Sequence, residues 1–302
     1  MRTAGLGALT KRNVKLYFKD KGMFFSSLIT PLILLVLYTT FLKNVFEDSF
    51  RGALDAAGAA VSDSIIGGCV GGQLVSSLLA VSCVTVAFCS NLLMVQDKIS
   101  GARRDLTVTP VHSGTLALSY YAASLLSTLI ISFAASAVCF AYLAAEGWYL
   151  STADVAAVIG DVILLCLFGT ALSSCVNFPL TTQGQASAVG TIVSAGYGFI
   201  CGAYMPISQF SDGLQKVLSF LPGTYGTSML RNHALRGVFE EMSDHGFPDQ
   251  VIESIRDSVD CNIYFYGDKV SIGNMYIILP ASIAILVALY VLMNVIKAKR
   301  EK

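Results

Sequence analysis

GQASAVGTIVSAGYGFICGAYMPISQFSDGLQKVLSFLPGTYGTSMLRNHALRG, residues Gly184–Gly237, is the stretch on which the reading of the chain turns. Its first part, Gly184–Tyr204, is uncharged and long enough, at about 1.5 Å per residue, to cross a bilayer as a helix. Met205-Pro206 ends that run. Ile207–Leu221 then mixes Ile207, Phe210, Leu214, Val217, Leu218 and Leu221 with Asp212, Gln215 and Lys216. Pro222-Gly223 interrupts the chain, and Thr224–Val238 sets Leu230 and Leu235 among Arg231 and Arg236. Neither later piece is long or apolar enough to span alone, so the two together are expected to dip into the membrane and return. Broken, charged backbone at membrane depth is tolerated where it packs on protein or lines a wet cavity. That geometry suits a plug at the mouth of a pathway.

Composition places the whole chain in a membrane. Of 302 residues, 54% are hydrophobic and only 13% charged, with mean hydropathy +0.66, where a soluble domain carries about 25% charged residues. Of the eight cysteines, Cys83, Cys89, Cys139, Cys166 and Cys175 lie in or beside apolar runs and read as small hydrophobes. Cys69, Cys201 and Cys261 leave a disulfide open, without a spacing framework to support one.

Six spans are predicted: Met23–Leu42, Ile65–Val95, Gly114–Ala145, Asp154–Val176, Gly184–Tyr204 and Asn274–Ile296. Before the first, Lys11, Lys15 and Lys19 recur every four residues while Leu6, Leu9, Val14, Tyr17 and Phe18 gather on the other face. Residues 1–22 therefore read as an amphipathic helix lying at the membrane surface, its lysines reaching toward lipid head groups. Met1–Gly22 is not a cleavable signal sequence, because the first span has full length and lacks a small-x-small cleavage site. Pro31 predicts a kink in that span, and Lys43–Ser64 is expected to be a polar loop. Gly67, Gly68, Gly71 and Gly72 predict close helix approach rather than any nucleotide signature. Ser151 and Asp154 form a helix-start box, and Val251, Ile252, Ile255 and Val259 predict a short helix with one apolar face after Pro248.

Charge sorts the loops between these spans. Segments 1–22, 96–113, 177–183 and 297–302 hold 13 Lys and Arg, and the loops on the other side hold 7. Acidic residues run the other way, 4 against 16 when Asp154 and Asp161 are counted with the outer group, so the two sides stand at +9 and −9. The positive-inside rule then puts both termini in the cytoplasm.

One positive-side loop has more pattern than the others. Asp97–Val111 reads DKISGARRDLTVTPV: a glycine, a charged amphipathic turn and a proline between two spans, which predicts a short helix parallel to the membrane. An ordinary basic inner loop fits the same residues. With the hairpin in view, the sequence resembles the membrane subunits of type-2 ATP-binding-cassette (ABC) exporters. Pro-Ile-Ser at 206–208, the amphipathic Leu214–Leu221, Leu-Pro at 221–222 and the small-residue return limb carry the likeness. Asp97, Gly101, Leu106, Thr109 and Pro110 match the coupling helix that in such permeases docks in an ATPase groove. Asp97 and Ala102 stand where that family more often has Glu and Thr. The resemblance implies that Lys98, Arg103 and Arg104 belong to the same docking segment, the arginines facing acidic groups on the ATPase, and that Leu106 is its apolar knob. Pro206, Pro222 and Gly223 would shape the gate.

Asp161 stands alone in the fourth span, two helical turns or about 10 Å inward of Asp154. A carboxylate there costs about 2–3 kcal/mol or more unless it faces a cavity or a partner. One reading puts it on a translocation path; the other makes it a hydrogen-bonded structural carboxylate. No enzyme site emerges. His112, His233 and His245 lack metal-ligand spacing, no Ser or Thr in the spans is accompanied by a His-carboxylate set, and no phosphate-binding G-x-x-x-x-G-K-[ST] loop occurs.

The expected fold class is an all-α polytopic membrane protein: an amphipathic connecting helix over 1–22, then one six-span transmembrane domain over 23–302. Within it lie a cytoplasmic coupling loop (96–113), a re-entrant helical hairpin (205–238) and an extracellular loop (239–271). The resemblance implies a multi-pass permease of a bacterial plasma membrane. It would export drugs, antibiotics, peptides or lipids together with a second permease, identical or not, and cytoplasmic nucleotide-binding ATPase subunits. ATP and Mg would sit on those subunits and no cofactor in this chain. Membrane lipid surrounds it, and no nucleic-acid partner is expected. The alternative is an ion-coupled secondary transporter with Asp161 as its coupling carboxylate, although such carriers commonly show internal repeats and none is visible here.

Overall fold

The computed structural model describes residues 3–56, 62–109 and 111–300. Twelve α-helices and one two-strand hairpin appear among them, with a π-type turn at Tyr38–Leu42 and a 3-10 turn at Ile207–Gln209. In order they are α1 (Thr3–Lys19), α2 (Lys21–Leu37), α3 (Lys43–Ala56), α4 (Asp63–Ile99), α5 (Ala102–Val108), α6 (Ser113–Glu146) and α7 (Thr152–Asn177). Then follow α8 (Gln183–Ile200), α9 (Asp212–Leu218), α10 (Pro222–Asp244), α11 (Asp249–Ser258), β1 (Tyr264–Phe265), β2 (Asp268–Lys269) and α12 (Ile272–Arg300). Among the described residues five segments are long and apolar enough to cross a membrane: Lys21–Gly52, Asp63–Ile99, Ser113–Glu146, Thr152–Asn177 and Ile272–Lys297. The chain is an all-α, multi-pass membrane protein.

α4 is the axis. It packs against α2, α3, α6, α7, α8 and α10, and its most apolar stretch is 89% buried where that of α12 is 17% buried. A helix enclosed by helices needs small residues wherever backbones cross. Gly72 crosses α10, where an added Cβ would come within 2.5 Å of Leu235; at Gly68 it would meet Tyr149 at 2.7 Å and Val238 at 3.1 Å. The expected packing role of these glycines is met. From the α10 side, a Cβ on Gly237 would overlap the backbone carbonyl of Tyr149, which cannot yield as a side chain can. Gly237→Ala is therefore expected to lower stability by about 1–3 kcal/mol, read as the unfolding midpoint in detergent. Gly190→Ala on α8, where nothing lies within 4 Å, should be neutral or stabilising.

Ends of helices follow the local chemistry. Ser151 and Asp154 form the anticipated reciprocal box at the start of α7, and Thr182 with Gln185 forms a second at α8. α11 buries Ile252 and Ile255, and Val259 just beyond it is buried as well, as its periodicity predicted. α1 keeps Lys11, Lys15 and Lys19 exposed while Tyr17, 1% exposed, packs with Met23, Val86, Leu93 and Ile131.

Three expectations are corrected. The polar loop expected after Leu42 is helix α3, joined to α2 through a π-type turn at Tyr38–Leu42. Three of its charged residues are paired: Lys43 with Glu146 at 2.6 Å, and Arg51 with Glu47 at 2.9 Å and with Asp63 at 2.8 Å. Phe50 is buried on the other face. The fifth span is shorter than Gly184–Tyr204: α8 has 18 residues and stops at Ile200, where Gly202 turns the chain with φ +73°.

The third correction concerns the hairpin. Pro222-Gly223 is not a tip between two equal limbs. Pro222 is the first residue of α10, a position where its missing N–H and fixed φ suit a helix start. Gly223 lies in the helix, and what it supplies is room: an added Cβ would stand 2.5 Å from the Tyr197 hydroxyl. The return limb is a 23-residue buried helix packed on α4, α7 and α12, and the descending limb is only the seven-residue α9.

Candidate functional site

At the membrane face where α4 and α7 end, α6 begins and α12 ends, α5 forms a ledge. Gly101, with φ +84°, turns the chain off α4, a backbone conformation that favours glycine. Of the residues expected to dock, Arg104 and Thr109 are exposed, together with Asp105 and Thr107. Leu106 is half-buried against the chain's own cluster of Met94, Leu116, Tyr120, Phe178 and Tyr290. The outward apolar residue is Val108, 81% exposed. Leu106, expected to point outward, is thus turned toward the bundle, and Val108 is the apolar residue that α5 leaves exposed. Pro110 lies outside the described residues.

Asp97 and Lys98 face inward and brace the ledge. Asp97 is 5% exposed and accepts from Arg12 at 2.6 and 3.3 Å and from the Tyr120 hydroxyl at 2.6 Å, tying α1, α4 and α6 together. A carboxylate with three charge-assisted or hydroxyl donors is held more firmly than a surface ion pair. The Asp97 carboxylate in turn raises the Arg12 guanidinium above its ordinary value, against the effect of burial. Lys98 donates to the carbonyls of Asn177, Phe178 and Leu180 and so satisfies the C-terminal end of α7, where a cation is favoured. Arg103 donates to Asn294 on α12 at 3.1 Å.

Toward the opposite face, α7 and α10 meet through paired charges. Arg236 bonds Asp154 at 2.5 Å. Two turns inward, the buried Asp161 takes His233 Nδ1 at 2.6 Å on one oxygen and the Tyr276 hydroxyl at 2.8 Å on the other. Deeper in α10, Arg231 is 1% exposed and bonds Asp260 at 3.1 Å, Ser77 at 3.2 Å and the carbonyl of Gly202. Asp260 also accepts from the backbone N–H groups of Ile207, at 2.5 Å, and Ser208, at 3.2 Å. Pro206 therefore opens a turn whose free donors are held by a buried acid. One ion pair fixes α4, α10, the turn after α8 and the outer segment together.

Pro222 and Gly223 cap an apolar cavity of about 470 Å³ between α7, α8 and α12, also lined by Phe168, Tyr197 and Leu286. The Tyr197 hydroxyl is buried there without a hydrogen-bond partner among the described residues. All eight cysteines are free, Cys69, Cys201 and Cys261 among the buried ones. Among the described residues no His, Cys, Asp and Glu cluster of metal-binding kind occurs.

Five residues were not singled out by sequence: Arg12, Tyr120, Val108, His233 and Tyr276. For His233 a signal was present, since three titratable residues, Arg231, His233 and Arg236, crowd one limb opposite Asp154 and Asp161. Their pairing across helices was not. In comparison with known proteins, residues 4–234 match the family described as ABC-2 type transporter, so the match runs from α1 into α10. No curated protein matches the chain.

Proposed function

The chain belongs to the ABC-2 type transporter family, and from that premise we propose that it is the membrane subunit of an ATP-driven exporter whose ATPase is a separate chain. The observation that carries this is α5: a ledge between two spanning helices, braced from behind by Asp97 and Lys98, presenting Arg104, Thr107, Val108 and Thr109 outward. An apolar residue 81% exposed between arginine and threonine side chains suits a groove on a partner protein. With no phosphate-binding loop in the sequence, ATP and Mg belong to that partner. α8 then makes a sixth, short crossing, both termini and α5 face the cytoplasm, and the hairpin closes the outer end of the pathway. Ile192, Phe199 and Ile200 stand exposed on α8, which supports a second permease, a copy or a relative, seated against that side. ATP-driven closure of the ATPases would push on α5 and, through Arg12–Asp97–Tyr120, move α1, α4 and α6 as one body. Drugs, antibiotics, peptides and lipids are the cargo classes, in a bacterial plasma membrane.

Val108→Asp tests the docking. A buried unpaired carboxylate at an interface is strongly unfavourable, and loss of a central anchor weakens binding by about tenfold or more. The variant should insert normally yet bind its ATPase at least that much more weakly in inverted vesicles, and vanadate-sensitive hydrolysis by the complex should fall with it. Wild-type permease should bind ATPase in inverted vesicles and not in right-side-out ones. Equal binding by wild type and variant would move the docking surface elsewhere; binding only to right-side-out vesicles would reverse the orientation.

An ion-coupled carrier using Asp161 is the weaker reading, because both oxygens of that carboxylate are already engaged by His233 and Tyr276.

A further inference from the structure

Three aromatic rings stand together outside the core. Phe220, Phe265 and Tyr266 are 59%, 36% and 62% exposed, yet they pack on one another edge to face, with ring centres 5.1, 5.1 and 5.9 Å apart. Phe220 follows α9, whereas Phe265 and Tyr266 lie in β1 and the turn after it, so the fold and not a run in the sequence assembles the cluster. Leu214 and Val217, three residues apart on α9, are exposed as well, while Leu218 turns inward. The Lys216 ammonium stands 5.9 Å from the centre of the Tyr266 ring. A contiguous apolar patch rimmed by polar groups marks a surface that meets something other than water.

Chain connections on both sides set the depth of this patch. Phe220 is followed by Leu221, Pro222 and Gly223, which line the apolar cavity together with Phe168 of the α7 span and Ser282 and Ile285 of the α12 span. At the other end Lys269 closes β2 three residues before Ile272, where the α12 span begins, and three residues reach at most about 10 Å. Phe265 and Tyr266 are drawn to the level of Phe220 by their ring contacts. The same face carries the chain's one tryptophan: Trp148 is exposed two residues past the end of α6, where α7 is about to begin, and α12 begins there too, since Tyr276 bonds Asp161. Tryptophan and tyrosine at the ends of spans mark the membrane–water boundary. We propose that α9 and the β1–β2 hairpin form a foot seated in the lipid of this leaflet, the three rings and Val217 entering the edge of the acyl region and Lys216 reaching toward head groups. A second permease is the competing cover. Lipid is favoured because aromatic and aliphatic side chains on one side of a short helix, with a lysine at the rim, have the composition of a segment lying in the interface. The patch also continues along the chain into α12, whose most apolar stretch is 17% buried and whose Ile277 and Ile285 are each 68% exposed. Such a foot holds the start of α10, and the cavity edge at Pro222 and Gly223, at a fixed height in the bilayer. The inference needs no assignment of inside and outside and no ATPase.

The test uses the full-length chain. Trp148→Phe removes the native indole, and Tyr266→Trp then supplies the only one, at a position already aromatic and exposed. The protein is reconstituted in phosphatidylcholine vesicles whose acyl chains carry bromine near the head group, bromine near the chain end, or none. Bromine near the head group should lower the indole emission at least about twofold, because an interfacial face sits about 5–10 Å into the boundary between head groups and acyl chains. Bromine near the chain end should quench less, and iodide supplied on both sides of the membrane should quench less than it quenches free tryptophan. Brominated lipid occupies both leaflets, so the result does not depend on which way the protein inserts. Strong quenching by iodide with none by bromine would put the cluster in water and overturn the proposal. Shielding from both quenchers would mean that protein covers the rings, and would overturn it in favour of a second permease. Stronger quenching from the chain end than from the head-group side would contradict a seat at the boundary. Phe220→Trp in the same background repeats the measurement from the α9 side and decides the matter should Tyr266→Trp fail to fold.

Discussion

Replacing Arg231 with methionine is expected to destabilise the folded permease by about 3–5 kcal/mol, because it leaves a buried carboxylate without its counter-charge. Arg231 and Asp260 have side chains 1% and 3% exposed, and each does more than face the other. Arg231 also holds Ser77 on α4 and the Gly202 carbonyl, and Asp260 holds the N–H groups of Ile207 and Ser208. Methionine fills comparable apolar volume, so the deficit would report the lost pair and not a cavity. Burial already pushes the Asp260 carboxyl above its ordinary value, opposed first by Arg231. Without Arg231 that opposition falls and the carboxyl is raised further. A carboxyl whose folded value lies above its unfolded value favours the fold at low pH and loses that contribution as pH rises through the folded value. The deficit of Arg231→Met should therefore be larger at about pH 8 than at about pH 5. Arg231→Met/Asp260→Asn should recover part of the loss, since asparagine tolerates the positive φ of +55° at position 260. Chemical denaturation midpoints of wild type, Arg231→Met, Asp260→Asn and the double variant give the coupling directly; an Arg231→Met deficit under about 1 kcal/mol, or one that does not change with pH, would remove the pair from its structural role.

Hydropathy made the spanning helices legible because membrane insertion depends on a segment's own composition. The same is true of local caps and periodicity, so Ser151 with Asp154, the α11 face and the small residues at 67–72 could be read residue by residue. What was not legible depended on the rotation of one helix against another. Leu106 and Val108 are two apolar residues of one seven-residue helix, and only the position of α5 on the bundle turns the first inward and the second out. Lys43–Ala56 carries enough charge to resemble a loop; it is a helix because Lys43 and Arg51 find Glu146, Glu47 and Asp63. Pro222-Gly223 signalled an interruption correctly, yet Pro favours both a turn and a first helical position, and the burial of α10 decided between them. The order of Asp154 and Asp161 along α7, and of Arg236 and His233 along α10, reverses between the antiparallel helices, a pairing that no single segment displays.

Asp161 is where the two readings of the sequence meet one geometry. Asp161→Ala should cost about 3 kcal/mol or more, since the His233 ring and the Tyr276 hydroxyl would both lose a buried partner. Asp161→Asn keeps an oxygen acceptor for Tyr276 and removes only the charge facing His233, so a purely structural carboxylate predicts a smaller loss, under half of that for alanine. The two substitutions also separate structure from transport. A bracing role requires that export per correctly assembled complex be unchanged in Asp161→Asn, because the helices α7, α10 and α12 remain joined. A place on the translocation path requires that the same variant, folded and bound to its ATPase, hydrolyse ATP while export per complex falls at least tenfold for cationic cargo. Because Asp161 is 1% exposed, with one oxygen bonded to His233 and the other to Tyr276, a cargo cation reaches the carboxylate only if one of them swings away. The bracing outcome is therefore the expected one: near-normal export in Asp161→Asn, and in Asp161→Ala a fall in the amount of folded permease in the membrane. Loss of export in Asp161→Asn at normal assembly would overturn it and put the α7–α10 seam on the pathway.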